Sequence, residues 1–232
     1  MIATAIITAP RPVPTIMNSL ASYRQAGFMN EVLIFDDGEC NVIGNVRIIK
    51  NASRLGNLRN WVNALRYLTK VTEDEWLMVC EDDISWANNA AAILRYDQGT
   101  SGTRPSTGMI SLYCPVRMSK VLERDHARGG TLAYGWYGAS LGKSTWGAQC
   151  LVFHRNWALQ LLADANLHTY LADLSRDRNV DAIVADVVNR RGREVVYRIP
   201  CLVDHTFGDA NSSLGYKDDR PNLKTKYFKA VQ

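Results

Sequence analysis

Apolar positions in this chain come in short runs separated by polar turns, and their spacing alternates between two periods. Ala3 to Thr8 is a β-branched run closed by Ala9-Pro10-Arg11-Pro12, the pattern of a strand ending in a loop, and Pro14 then suits the first turn of a helix through about Ala26. Gly27 closes that helix, Glu31 to Phe35 forms a second strand running into Asp36-Asp37-Gly38, and Val46 to Ile49 forms a third. After Arg54-Leu55-Gly56-Asn57, the residues Leu58, Trp61, Val62, Leu65 and Leu68 recur at the spacing of one buried helix face. Trp76 to Cys80 is short enough for a buried strand and runs straight into Glu81-Asp82-Asp83. Strands alternating with helices predict an α/β fold with a mostly parallel central sheet flanked by helices, whose ligands gather at the carboxyl ends of the strands.

The second half is less regular. Asp97 to Gly108 reads as a surface loop, and Met109 to Tyr113 as the next strand. Arg124 to Gly147 holds several glycines with Tyr134, Trp136, Tyr137 and Trp146 among them, too polar for core and too aromatic for a linker, and reads as a mobile loop on the acceptor side. Its rings either stack on a sugar or base, or pack beneath the loop. Gln149 to Phe153 is a strand, Asn156 to Ala165 a helix, and Asp181 opens another apolar-faced helix through Val188. Val195 to Ile199 and Cys201 to Val203 are late strands, the second running into Asp204-His205. No repeat or linker is visible, which favours one domain over residues 1–216 with a basic tail at 217–232.

Composition narrows the picture. At 232 residues and 47% hydrophobic, the chain can bury a sizeable core, and a net charge of +4 permits an anionic substrate without demanding nucleic acid. Cys40, Cys80, Cys114, Cys150 and Cys201 are scattered through apolar runs without zinc-site spacing and read as reduced core residues. The chain enters a strand at once, with no signal-peptide pattern and no run long enough for a membrane span, so a cytoplasmic setting is expected, in a bacterium or a virus-infected host.

The acidic triplet carries the most chemistry. Alternation along a strand places Glu81 and Asp83 on one face and Asp82 on the other. Three carboxylates so close repel one another unless a cation neutralises them, and hard oxygen ligands suit Mg²⁺ or Mn²⁺. The plain alternative is a solvated acidic turn after a core strand.

Taken in order, the strand ending Thr8-Ala9-Pro10-Arg11, the strand ending Asp36-Asp37, the stretch Arg54-Leu55-Gly56-Asn57-Leu58-Arg59-Asn60 and the triplet Glu81-Asp82-Asp83 resemble the nucleotide-sugar half of GT-A fold glycosyltransferases. Trp146-Gly147, Asp181 and Asp204-His205-Thr206-Phe207-Gly208 with Asn211-Ser212-Ser213-Leu214-Gly215 fit the same picture. The resemblance implies a nucleotide-sugar-binding half over 1–95 and an acceptor half over 96–216. It places Thr8, Ala9, Arg11, Asp36 and Asp37 around a uridine-like nucleoside and Arg54, Gly56 and Asn60 along the ribose and diphosphate. Its Asp-x-Asp-type metal motif falls on Glu81, Asp82 and Asp83, with Asp82 on the nucleotide side and Asp83 as direct ligand; His205 completes the metal site. Glu81 departs from the usual aspartate. Asp181 is the implied catalytic base, with Asp186 and Asp177 behind it and an ordinary helix cap as the structural alternative.

The activity so implied is transfer of a sugar, UDP-sugar foremost as donor, to an acceptor hydroxyl with inversion. Basic residues at Arg190-Arg191-Gly192-Arg193 and along Lys217, Arg220, Lys224, Lys226 and Lys229 suit a phosphate-rich acceptor, so a hydroxymethylated base in DNA ranks first, ahead of a bacterial surface glycan or a protein. Two other classes stay open: a non-catalytic nucleotide- or polyanion-binding module, and a nucleotidyltransferase, for which Thr8 to Pro14 has too little glycine.

Overall fold

The computed structural model describes residues 2–38, 40, 42, 44–100, 107–127, 130–139, 147–173, 179–205 and 228. The strands are β1 (Ile2–Ile7), β2 (Val32–Asp36), β3 (Val46–Lys50), β4 (Trp76–Glu81), β5 (Ile84–Trp86), β6 (Thr107–Ser111), β7 (Gly135–Gly138), β8 (Cys150–His154), β9 (Glu194–Ile199) and β10 (Val203–His205). The helices are α1 (Ile16–Gln25), α2 (Asn57–Val71), α3 (Ala90–Thr100), α4 (Val116–His126), α5 (Arg155–Leu162), α6 (Ala165–Ala172) and α7 (Val180–Arg190). Eight strands form one sheet in the order β3-β2-β1-β4-β8-β6-β9-β7, and β10 pairs with β5 in a small second sheet. Only β8 and β7 run against the other six, so the sheet is mostly parallel and continues through both halves of the chain.

Alternation along the strands builds two cores. Ala5 and Ile7 of β1, Leu33 and Phe35 of β2, and Leu77 and Val79 of β4 face α2, α5 and α7. Ile2 and Ile6, Val32 and Ile34, and Trp76, Met78 and Cys80 face α1, α3 and the β5 strand. A sheet covered on both sides needs apolar residues at nearly every position, which explains the unbroken hydrophobic runs. In α2, Leu58, Trp61, Val62, Leu65 and Leu68 are all buried, each contributing about 1.5–3 kcal/mol through the area removed from water. All five cysteines are buried and unbridged.

Several expectations are corrected. Helix α1 begins after Thr15 rather than at Pro14, and Thr15 makes no capping bond with its side chain. The loop expected over Asp97 to Gly108 is shorter, because α3 runs to Thr100 and β6 begins at Thr107. The last strand is Val203–His205, so Asp204 and His205 lie within it. The stretch from Arg124 to Gly147 is no loose loop throughout: α4 continues to His126, and Gly135–Gly138 pairs antiparallel with β9 at the sheet edge. Trp136 and Tyr137 pack against the two cores, while exposed Tyr134 carries the Arg198 guanidinium 4.5 Å from its ring centre. Trp146, Asp177, the Gly208 to Gly215 segment and the tail cations lie outside the described residues. Phe228 of the tail packs against the core that contains Ile6, Ile34 and Met78.

Candidate active site

Strands β1, β2 and β4 are parallel neighbours, so the loops leaving them meet at one end of the sheet. There they enclose a cavity of about 720 Å³, within the range of small-molecule sites. Thr8, Ala9, Arg11, Asp36, Asp37, Arg54 and Asp82 line it, seven of the residues marked by the sequence. Gly56 and Asn60 do not line it and instead shape it from behind. Asn60, buried on α2, donates to the carbonyls of Thr8 and Phe35 at 3.2 and 3.1 Å and ties the ends of β1 and β2 together. The Gly56 N–H donates to Asp37 Oδ2 at 2.8 Å, and its φ of 77° lets the chain turn sharply into α2.

The two strand-end aspartates also work as braces. Asp36 accepts from the Thr8 hydroxyl and from the N–H groups of Gly38 and Cys40, at 2.8, 3.0 and 3.2 Å. Asp37 accepts from Leu55 N–H at 2.6 Å and from the Asn51 amide at 3.2 Å, closing the β3–α2 loop over the cavity. Asn51 was not singled out in the sequence, since a lone asparagine after a strand is indistinguishable from a turn residue. Arg54 stands exposed on the cavity rim.

The triplet departs from simple alternation because β4 ends at Glu81 and the chain bends at Asp82 and Asp83. Glu81 keeps the α2 side and accepts from Asn57 at 3.4 Å. Asp82 and Asp83 both face Arg11. Its Nε and Nη2 donate to Asp82 Oδ1 at 3.1 and 2.9 Å, and Nη2 lies 2.8 Å from Asp83 Oδ2. The Thr15 hydroxyl donates to Asp82 Oδ2 at 3.2 Å, so the helix-capping group of α1 is diverted to the site. His205 arrives from 122 residues away because β10 zips onto β5, whose first residue follows Asp83. Its Nε2 lies 3.0 Å from Asp83 Oδ2.

Charge crowding sets the protonation states. Burial and the Asp83 charge push Glu81 up to about 7. Burial raises Asp82 to about 6 against the opposing pull of Arg11. For Asp83 burial pushes upward too, but the His205 hydrogen bond and the charges of His205 and Arg11 outweigh it and hold the carboxyl below its ordinary value. Burial lowers His205, and the bond and charge of Asp83 more than reverse this, to about 9.

The residues fit a divalent cation. Asp83 is 4% exposed, and its Oδ1 has no hydrogen-bond partner, an orphaned hard oxygen of the kind Mg²⁺ or Mn²⁺ takes. Among the described residues no three His, Cys, Asp or Glu side chains enclose a cation unaided. A small divalent ion held by one or two side chains and completed by substrate phosphates and water is the usual arrangement for a nucleotide site.

Asp181 is tied to the segment that follows Gly147, which pairs with the end of β4. It sits in the first turn of α7, whose N-cap is Asn179, so the carboxylate is not the helix cap. Its Oδ2 accepts from the Gly147 N–H at 2.8 Å, and two residues further the Gln149 carbonyl accepts from Glu81 N–H at 2.9 Å. Three residues, up to about 10 Å of chain, therefore lead from the Asp181 bond to the Glu81 main chain. Burial raises the Asp181 pKa. Asp186 is turned instead to an ion pair with Arg190 one helical turn on.

Gly147 holds this junction. Its φ is 107°, and a Cβ there would sit 2.6 Å from Cδ1 of buried Tyr113. Gly147→Ala is expected to cost about 1–3 kcal/mol from backbone strain alone, read as a lowered Tm, and to slow turnover by displacing Asp181. A melting temperature equal to wild type would contradict the tight junction.

The Arg190-Arg191-Arg193 run lies elsewhere. It precedes β9, which is parallel to β4, so it stands at the opposite end of the sheet from the triplet, about 20 Å away along a six-residue strand. Arg190 pairs with Asp186, Arg191 Nη2 with Asp164 at 2.8 Å, and Arg193 lies over Trp157 at 4.2 Å. His154 is at that end too, bonded to Glu75.

No protein-family model and no curated protein matches the chain. Among solved structures it is similar to the mannosyltransferase PcManGT from Pyrobaculum calidifontis in complex with GDP-Man and Mn²⁺, at TM-score 0.51 and 16% identity, covering 83% of this chain and 53% of that one. It is similar also to GalNAc-T7 with UDP, GalNAc and Mn²⁺, at TM-score 0.58 and 11% identity, covering 95% of this chain and 46% of that one. The chain spans about half the length of these structures. At such identities the likeness shows the fold, and the fold is GT-A.

Proposed function

We propose that this chain transfers a glycosyl group from a nucleoside diphosphate sugar to an acceptor hydroxyl. One observation carries the reading: a nucleotide-sized cavity at the carboxyl ends of β1 and β2 shares Asp82 with an acid cluster whose buried Asp83 has a bare oxygen. The two solved structures named above, with GDP-Man or UDP and Mn²⁺, support the choice of ligand class.

In this reading Thr8, Ala9, Asp36 and Asp37 shape the nucleoside end of the cavity, and Arg11 and Arg54 face the diphosphate. Asp83 and His205, with Glu81 behind them, hold Mn²⁺ or Mg²⁺; bound there, the ion supplies electrostatic relief for the departing diphosphate. The acceptor oxygen attacks the anomeric carbon, its proton passes to Asp181, and the bond from that carbon to the diphosphate oxygen breaks. Burial prepares Asp181 for this, because a raised pKa makes a stronger base. Direct attack assisted by one base gives inversion. The raised Asp181 carboxyl at the start of α7 supports the enzyme over a binding module.

UDP-sugar is the donor of first choice. For the acceptor, the arginine run before β9 no longer speaks for DNA, since it is paired and stands at the far end of the sheet. The acceptor of this proposal is a hydroxyl of a glycan or protein, with hydroxymethylated DNA kept as the direct comparison because the tail cations Lys217, Arg220, Lys224, Lys226 and Lys229 lie outside the described residues. The test is release of nucleoside diphosphate from UDP-, GDP- and dTDP-sugars with Mn²⁺ or Mg²⁺, alone, with oligosaccharides, and with duplex DNA containing 5-hydroxymethylcytosine. Release that EDTA stops and a glycan accelerates supports the proposal; stimulation by the DNA alone reverses the acceptor choice; no release from any donor removes the enzyme reading.

The protonation states give a further expectation. Glu81 near 7 and His205 near 9 both stand above their unfolded values, so the folded, metal-free protein holds more protons than the unfolded chain through neutral pH. Stability from Glu81, Asp82 and His205 is full only below about pH 4 and is lost as pH rises through about 6, 7 and 9, whereas that from the depressed Asp83 is present above about pH 4 and lost below it. Metal binding must expel the same protons and so strengthens with pH. The metal-free Tm is expected to fall between pH 6 and 9, and the gain from Mn²⁺ to grow over that interval. A Mn²⁺ gain that shrinks with pH would contradict the assigned ligands.

A further inference from the structure

Arg11 has two demands on one guanidinium. It binds both Asp82 and Asp83, with Nη2 2.9 Å from Asp82 Oδ1 and 2.8 Å from Asp83 Oδ2, and it also lines the nucleotide-sized cavity. We propose that Arg11 is the resident counter-cation of the Asp82–Asp83 pair and exchanges places with the divalent metal, so that metal and nucleoside diphosphate bind cooperatively through it. The inference rests on the glycosyl-transfer reading above and adds to it how the site is loaded.

The argument is electrostatic and steric. A guanidinium and a divalent ion cannot share Asp83 at contact distance without strong repulsion. Only Asp83 Oδ1 is bare; Oδ2 is engaged by Arg11 and His205 together. A metal entering alone must therefore displace Arg11 from a buried ion pair and leave that charge without its partner, which opposes binding. A diphosphate removes the penalty, because its oxygens match the guanidinium fork as well as a carboxylate does. The loop allows side-chain movement with a fixed main chain. Arg11 is flanked by Pro10 and Pro12, whose rings fix their own φ and hold the residue between them extended, whereas the arginine side chain has four torsions of its own. Thr15 keeps its bond to Asp82 Oδ2, so the carboxylate stays in place when the guanidinium leaves.

Coupling of this kind is reciprocal: nucleotide must tighten metal by the factor that metal tightens nucleotide. Calorimetric titration of Mn²⁺ into metal-free protein, alone and with saturating UDP or GDP, measures it in wild type, Arg11→Gln and Arg11→Lys. In wild type, nucleotide is expected to tighten Mn²⁺ on the order of tenfold or more. In Arg11→Gln, Mn²⁺ alone is expected to bind about tenfold tighter than to wild type, and the boost from nucleotide to disappear. Arg11→Lys, with the charge but not the fork, is expected to fall between them and carries the comparison if the glutamine variant does not fold. A purely structural arginine would not raise metal affinity when removed. If Arg11→Gln binds Mn²⁺ no tighter than wild type, or keeps the full boost, the exchange is overturned while donor turnover by wild type leaves the glycosyl-transfer reading standing. If neither UDP nor GDP binds wild type with Mn²⁺, both fall together.

Discussion

Asp83→Ala is expected to lower metal-dependent donor turnover by about a thousandfold, the scale of losing a principal electrostatic stabiliser of a developing charge. Asp83 is where the lines of the site cross. It is buried, accepts from His205 at 3.0 Å, lies 2.8 Å from Arg11, and retains one oxygen with no partner. Removing the carboxylate removes the buried, unpartnered oxygen Asp83 Oδ1, while the nucleoside end of the cavity, built by the Asp36 and Asp37 braces, is untouched. Nucleotide binding without metal should accordingly not weaken, and tightens in so far as Arg11 loses one of its two carboxylate partners, separating lost chemistry from lost folding. Asp83→Asn, of equal size, is expected to fall nearly as far, because the amide offers a weaker ligand and no charge. Turnover within threefold of wild type that is still stopped by EDTA would remove Asp83 from the metal site.

Asp181→Asn is expected to reduce kcat for transfer by about 10²–10⁴-fold, the range for loss of a general base. The substitution is mild in shape. One oxygen remains to accept from Gly147 N–H, the bond that ties the residue to the Gly147–Gln149 segment, while the local bond from Ala182 N–H to Oδ1 is given up. Mn²⁺ affinity and the donor KM should therefore be preserved, and the acidic limb of the kcat profile, set in wild type by a carboxyl that burial raises, should flatten. A structural aspartate would change stability and leave that limb in place. A kcat within threefold, with the limb unchanged, would move the base to another residue.

Much of the donor side was legible in the sequence because its signals are local. Five apolar residues at helical spacing gave α2, β-branched runs gave β1 to β4, and an acid triplet directly after a buried strand marked the site. The rest depended on contacts between distant segments. Arg11 meets Asp82 across 71 residues, and His205 meets Asp83 only because two three-residue strands pair. Nothing in a sequence of Ile84-Ser85-Trp86 announces that partner. Thr15 read as a helix start, yet its hydroxyl serves Asp82. Helix α4 was missed since only Met118, Ser119 and Leu122 of its eleven residues are buried. The arginine run looked like a binding surface because linear sequence hides which end of a strand a loop occupies, and three of its cations have partners of their own.

The most direct test of the account is an anomalous difference map from crystals grown with Mn²⁺ and UDP or GDP. The account predicts a manganese peak bound by Asp83 and His205, the nucleotide in the cavity between Thr8 and Arg54, and the Arg11 guanidinium moved from Asp83 onto the diphosphate. Nucleotide in the cavity with no manganese at Asp83, and Arg11 still paired to both aspartates, would contradict it.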